Sequence, residues 1–222
     1  MQVSKHPDSD LLIDYAAGAL GPALCVSISS HLHFCQDCRG KNSELTNLGG
    51  SFLESLEPAQ LSTNALDEVL ARLDEIEHEP QTLETAQKNL KTDEARLPNL
   101  VKKLIPDQGV KWQFLSPALR ISRLVVGENR YELALHKIKA GGKAPDHGHN
   151  GLEITVVLQG SFSDEDGVYH EGDFLVRQPG DVHRPTASQN DSCICLSVSE
   201  APIKLVGPIK RLLNPFFSVT PQ

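Results

Sequence analysis

Apolar residues fall at helical spacing through the first third of the chain and in short strand-like runs through its second half. Leu11, Leu12, Tyr15 and Leu20 make one stripe of a short helix over residues 10–20. Asp8 or Ser9 can cap it, and Gly18 with Gly21-Pro22 can end it. Val26, Ile28 and Leu32 carry a second helix from about residue 24 toward 48, which Gly49-Gly50 are expected to stop. After Pro58, Leu66, Val69, Leu70, Leu73 and Ile76 line a third helix, with Ser62 or Thr63 to cap it. Its opposite face is Asp67, Glu68, Asp74 and Glu75.

Residues 81–97 are polar and charged and read as a linker, partly helical at most. Beyond them the pattern changes. Short runs of Val, Ile, Leu and Tyr recur between Gly, Pro and Asp turns, at 110–115, 119–125, 131–138, 153–159, 168–170, 173–177 and 193–198. Many short strands at this spacing predict an antiparallel sandwich or barrel. The expected organisation is multi-domain, α + β. A small helical bundle spans 1–80, a linker 81–97 and a β-barrel 98–200, followed by a tail over 201–222. The tail, with Leu212, Leu213, Phe216 and Phe217, is apolar enough to dock on the barrel or on a second copy of the chain.

Charge sharpens this division. Of the 222 residues, 1–97 carry 7 Lys and Arg against 16 Asp and Glu, and 98–222 carry 14 against 13. The first module therefore offers an acidic surface to a partner, and no basic patch is present to neutralise phosphates, so direct nucleic-acid binding is not expected. No apolar run of 18 residues and no signal-peptide pattern occurs, so membrane insertion is not expected. Five cysteines, two of them at ligand spacing, suit a reducing cytoplasmic protein.

Two sets of metal-ligating residues stand out. His31, Cys35 and Cys38 form H-x3-C-x2-C. On a continuous helix these positions share one face, and an imidazole with two thiolates can take three corners of a zinc tetrahedron. The fourth ligand must come from elsewhere. Cys25 lies on the same helix but points off that face, whereas His6 sits on a lead-in that can fold back. Spacing alone leaves His6 open, and His33 faces away from the ligand stripe. His6-Pro7, Leu12, Tyr15-Ala16-Ala17-Gly18-Ala19-Leu20, His31-Leu32, Cys35 and Cys38-Arg39 together resemble the zinc-binding anti-sigma factor family over residues 1 to about 80. The resemblance implies that His6 is the fourth ligand of a Zn2+ ion. It also implies a helical bundle that grips an extracytoplasmic-function sigma factor.

The second set is His147, His149, Glu153 and His183. In a strand, His147 and His149 point to the same face, Glu153 follows an Asn150-Gly151 turn, and His183 arrives from a neighbouring hairpin. Such a nitrogen and oxygen set can hold Zn2+, and iron, manganese or nickel equally well. The spacing Gly141-x5-His147-x-His149-x3-Glu153-x6-Gly160, with Gly172-Asp173 and Gly180-x2-His183, resembles the two motifs of the cupin superfamily. Proline stands at Pro179 where the family pattern has it at the position of Gln178, and the asparagine after the final histidine is missing. Neither departure touches a ligand. The resemblance implies a jelly-roll-like barrel. Cys193 and Cys195 alternate along an expected strand and read as buried core thiols, with a redox role near the metal as the alternative.

The order of the two modules resembles the ChrR-type anti-sigma factors. It implies a regulator, not an enzyme, that holds a sigma factor and releases it on singlet-oxygen or peroxide stress. The trigger is left open between the cupin ligands and the zinc-bound thiolates. A possible homodimer through the cupin is also left open. The rival reading is a cupin dioxygenase with a regulatory helical appendage. Arg184 beside His183 is the one basic residue next to its ligands.

Overall fold

The structure is a computed structural model that describes residues 3–75, 92–127 and 129–205. Expectations for Ile76, for most of the linker (81–91) and for the tail beyond 205 lie outside the described residues.

The helical half begins with α1 (Ser9–Ala16), α2 (Pro22–Phe34) and α3 (Gln36–Glu54). Asp8 caps α1, its carboxylate accepting from the Leu11 N–H at 2.8 Å. The expected single helix through the cysteines is two helices. Cys35 is extended (φ −97°, ψ 110°), closes α2 and caps α3, and its sulfur accepts from the Cys38 N–H at 3.4 Å. The physical reason is reach: on a straight helix, positions seven apart lie roughly 10 Å from each other along the axis, too far to share one ion. Gly49-Gly50 do not stop α3, which runs through both to Glu54. Two glycines weaken a helix by about 1 kcal/mol each without forbidding it. A fourth helix, α4 (Ala65–Glu75), leaves Leu66, Val69, Leu70 and Leu73 exposed.

Residues 92–97 are not a free linker. They form α5 (Thr92–Ala95) and lead into α6 (Asn99–Leu104), with Leu97, Val101 and Ile105 almost wholly buried. The Trp112 indole N–H donates to the Glu94 carboxylate at 3.0 Å, anchoring the segment to the β half.

The strands are β1 (Gln113–Phe114), β2 (Leu119–Leu124), β3 (Glu132–Ile138), β4 (His147–His149), β5 (Glu153–Gln159) and β6 (Ser161–Asp164). They continue as β7 (Gly167–His170), β8 (Phe174–Arg177), β9 (Val182–His183), β10 (Thr186–Ala187), β11 (Cys193–Ser199) and β12 (Ile203–Leu205). All pairings are antiparallel, as expected. Instead of one closed ring they make a six-stranded sheet, β1-β2-β3-β11-β5-β8, and two three-stranded sheets, β10-β6-β7 and β12-β4-β9. The last sheet extends past the expected boundary at 200, because β12 pairs with the ligand-bearing β4.

Both faces of the large sheet are covered. Leu119, Ile138, Val157, Phe162, Tyr169, Leu175, Cys193 and Cys195 pack together on its inner side. Ile154, Val156, Leu158, Ile194, Leu196 and Val198 face the other way, and share one core with Leu12, Leu24, Ile28, Leu32, Leu97, Val101 and Ile105. Strand β11 is accordingly buried at every position. Helix α2 lies between α1, α3 and this sheet, so most of its surface is buried. Its Ser27 and Ser30 hydroxyls donate to the carbonyls of Leu24 and Val26, each at 2.7 Å. The two modules are therefore not beads on a hinge but halves of one continuous core.

Candidate metal centres

The first centre gathers His6, His31, Cys35 and Cys38, whose ligand atoms all lie within 4.8 Å of one another. The break at Cys35 turns α3 back so that Cys38 faces α2, and the lead-in before α1 brings His6 over them. His6 Nδ1 lies 3.4 Å from both sulfurs. His31 is fully buried, donates from Nδ1 to the Gly172 carbonyl at 2.7 Å, and leaves its Nε2 buried with no partner. That acceptor fixes the tautomer, so a lone pair points into the thiol pair, placed to take a cation held by the two sulfurs. Burial lowers the His31 pKa, against the pull of the Gly172 carbonyl, and keeps the ring in its ligating form. Burial, with the hydrogen bond that the Cys38 thiol donates to Cys35, pushes that thiol up to about 11. Cys25 lies outside the cluster, its thiol donating to the Leu20 carbonyl at 3.4 Å, and His33 is exposed.

The second centre gathers His147, His149 and His183, again within 4.8 Å. Antiparallel pairing of β4 with β9 sets His147 directly opposite His183. His147 Nδ1 donates to the Pro145 carbonyl and His183 Nδ1 donates to the Asp164 carboxylate, both at 2.9 Å. With both protons so held, the two Nε2 atoms face each other at 3.2 Å as lone pairs. Two acceptors at that distance repel unless a cation lies between them. The buried Nε2 of His149 also lacks a partner. Burial pushes His147 down to about 4 and lowers His149 as well, so these two imidazoles are neutral and ready to ligate.

Glu153 stands outside the set of mutually close ligand atoms. One carboxylate oxygen lies 3.5 Å from His149 Nδ1 and also accepts from Ser199 Oγ at 3.2 Å, while the other accepts from Thr155 Oγ1 at 3.2 Å. Burial would raise its pKa, but the surrounding imidazoles, His149 foremost, bring it below the usual carboxylate value. A metal bound here would be met by three imidazoles, with a carboxylate at the second nitrogen of one of them.

Sequence reasoning did not foresee three groups that orient these ligands. Asp164 holds His183 and is itself gripped by Arg177 at 2.5 Å and by the Tyr169 hydroxyl at 3.1 Å. It sits in an Asp-Glu-Asp-Gly run that reads as a turn. The others are the carbonyls of Gly172 and Pro145, which have no side-chain signature.

A cavity of about 250 Å³ opens beside the second centre, walled by Leu119, Ile138, Phe162, Cys195 and Ile203 with His147 and His183 at one end. Among the described residues that line it there is no lysine or arginine; Arg184 instead pairs with Asp146 at the surface. Cys193 and Cys195 are buried with their sulfurs 3.5 Å apart, and the mutual hydrogen bond and burial hold the Cys195 thiol well above its ordinary value.

Residues 101–202 match the family described as the ChrR cupin-like domain. Over 219 residues, 99 % of this chain and 100 % of the relative, the sequence is 34 % identical to the anti-sigma-E factor ChrR of Cereibacter sphaeroides. The fold is similar to the crystal structure of Rhodobacter sphaeroides SigE in complex with the anti-sigma ChrR. The TM-score is 0.75 at 32 % identity, covering 89 % of this chain and all of that one.

Proposed function

Because the chain belongs to the ChrR family of anti-sigma factors, regulators and not enzymes, we propose that it sequesters an extracytoplasmic-function sigma factor through residues 1–80. In this reading it works in the cytoplasm, and oxidative stress of the singlet-oxygen or peroxide type, read by the β half, releases the sigma factor. The dioxygenase alternative falls with the family membership.

One observation carries the reading: an apolar surface on the helical half that stands exposed among the described residues. Leu66, Val69, Leu70 and Leu73 of α4 are 49–69 % exposed, and Leu48, Phe52, Leu53 and Leu56 at the end of α3 are 51–71 % exposed. Apolar faces of this size on neighbouring helices signal a protein partner. The acidic balance of the same module, with Asp67 and Glu68 beside the α4 stripe, suits a basic partner and would steer its approach. The relative with the same end-to-end organisation was solved in complex with SigE.

His6, His31, Cys35 and Cys38 suit Zn2+, since two thiolates and two imidazoles make a closed structural set. Zinc held there would supply a cross-link between the lead-in, α2 and α3, the scaffold on which the apolar faces depend. In the β half, His147, His149 and His183 would hold Zn2+ or another divalent metal, with the Glu153 carboxylate on the Nδ1 side of His149.

The test is capture of sigma factors from the native host by the full chain, read by mass spectrometry. The wild type is expected to retain one, and variants lacking His31, Cys35 or Cys38 to lose it. Substituting His147 or Glu153 should leave capture intact and abolish release by oxidant. Loss of capture in those two variants would sink this division of labour.

A further inference from the structure

The turn between β7 and β8 makes contacts that the β half does not need for itself. Gly172 sits at φ +92°, and a Cβ there would meet Phe34 Cβ at 2.6 Å and Val3 Cγ2 at 2.7 Å. Glycine is thus required by the approach of the helical half as well as by the backbone. Its carbonyl takes the His31 proton at 2.7 Å. The next residue, Asp173, is only 1 % exposed. One of its carboxylate oxygens accepts from the N–H groups of Ser4 and Lys5 at 2.7 and 2.9 Å. The Ser4 hydroxyl lies 3.2 and 3.3 Å from the two oxygens, and the second oxygen accepts from the His170 N–H at 2.8 Å. Phe174 then donates its N–H to the Lys5 carbonyl at 3.0 Å and sets its ring edge-on to His31, 5.7 Å between centroids.

Residues 3–7 have no helix or strand of their own. A segment without secondary structure keeps its entropy unless something binds it, and a buried carboxylate receiving backbone N–H groups is a strong anchor. The residue that follows Lys5 is His6, the exposed member of the first metal set. Three consecutive residues of the β half therefore control two ligands of the helical half, His31 by direct contact and His6 through Ser4 and Lys5.

We propose that Asp173 is a positioning residue for the N-terminal metal site, so that the metal affinity of the helical half depends on a turn belonging to the β half. This rests on the reading of His6, His31, Cys35 and Cys38 as a metal site. It makes that site respond to strain in the β7–β8 turn, whose flanking strands carry Tyr169 and Arg177, which grip Asp164 and through it His183.

The experiment uses the full chain and Co2+, because thiolate-to-cobalt charge-transfer absorption arises only at the cysteine-bearing set. Zn2+ competition then gives relative affinity. Asp173→Ala is expected to weaken the thiolate site about 10- to 100-fold, the range for loss of an outer-shell partner. Cobalt bound without that band, at the imidazole set, should stay at the wild-type level, which a general loss of structure would not allow. Ser4→Pro removes two of the donors to Asp173 at an exposed position outside every strand, so it decides the matter if Asp173→Ala fails to fold. It should weaken the same site several-fold. An affinity within twofold of wild type in Ser4→Pro overturns the proposal. A wild-type chain with no charge-transfer band overturns the metal-site reading itself, and the proposal with it. A band that persists in wild type but is unchanged in both variants overturns the proposal alone.

Discussion

The carbonyl of Gly172 accepts the Nδ1 proton of His31 at 2.7 Å, so a backbone atom of the β half sets the tautomer of a ligand in the helical half. Around that bond the two halves share a core in which Ile28, Val101, Ile154 and Leu196 are all essentially unexposed.

A shared core predicts a single unfolding transition. Ile28→Ala removes buried volume from α2 and should cost about 2–5 kcal/mol. The loss should show equally in helical circular dichroism and in the fluorescence of Trp112, which lies in the β half. Two separate transitions, with only the helical signal shifted, would contradict one core.

Asp164 predicts a selective effect at the second centre. Burial would raise its carboxyl, but the hydrogen bond from His183, the Asp166 N–H and Arg177 together hold it below the usual range. A carboxyl depressed by folding contributes stability above its unfolded value of about 3.9 and loses it as pH falls through the lower folded value. Asp164→Asn should therefore flatten the acid limb of the stability curve. It should also weaken metal at the imidazole set about 10- to 100-fold and leave the thiolate set unchanged. Equilibrium dialysis resolves both, and an equal loss at the two sites would refute the assignment.

At the thiolate set, pH acts through Cys38. With its thiol at about 11 in the metal-free protein, the proton is still on at neutral pH and an incoming metal must displace it. Apparent affinity should fall as pH falls, by up to about tenfold per unit for each proton displaced. Cobalt titrations followed by charge-transfer absorption at several pH values give the slope. A flat profile would mean that no thiolate ligates.

The exposed stripe of α4 separates binding from stability. Leu70 is 49 % exposed, so Leu70→Asp should change folding stability by no more than about 0.5 kcal/mol. If the stripe is the sigma-binding surface, the same change should weaken capture by at least about 2 kcal/mol, some 30-fold. Unaltered affinity for the sigma factor would remove α4 from the interface.

Much of the chemistry was legible in the chain. His147, His149 and His183 meet where strand periodicity and pairing bring them to a common face, while His31, Cys35 and Cys38, at ligand spacing in the chain, meet through the break at Cys35 and not on one helix face. Glu153 is displaced by a step, and the reason is its surroundings: Thr155, Ser199 and His149 all draw the carboxylate to themselves. The break at Cys35 was not legible, since nothing in Phe34-Cys35-Gln36 discourages a helix; sulfur and imidazole converging on one point impose it.

By itself, then, the sequence determined what depends on neighbours along the chain. That covers the helices and strands with their faces, the two ligand sets, and the acidic helical half against the balanced β half. The tertiary structure alone decided how the halves join. The apolar outer face of β5 and β11 was visible as Ile154, Val156, Ile194 and Leu196, but not that α2 would cover it. Nor could Gly172 and Asp173, about 140 and 170 residues from His31 and Ser4, be read as their partners. Burial and hydrogen bonding over such separations follow from which surfaces meet, and a one-dimensional pattern carries the surfaces without their meeting.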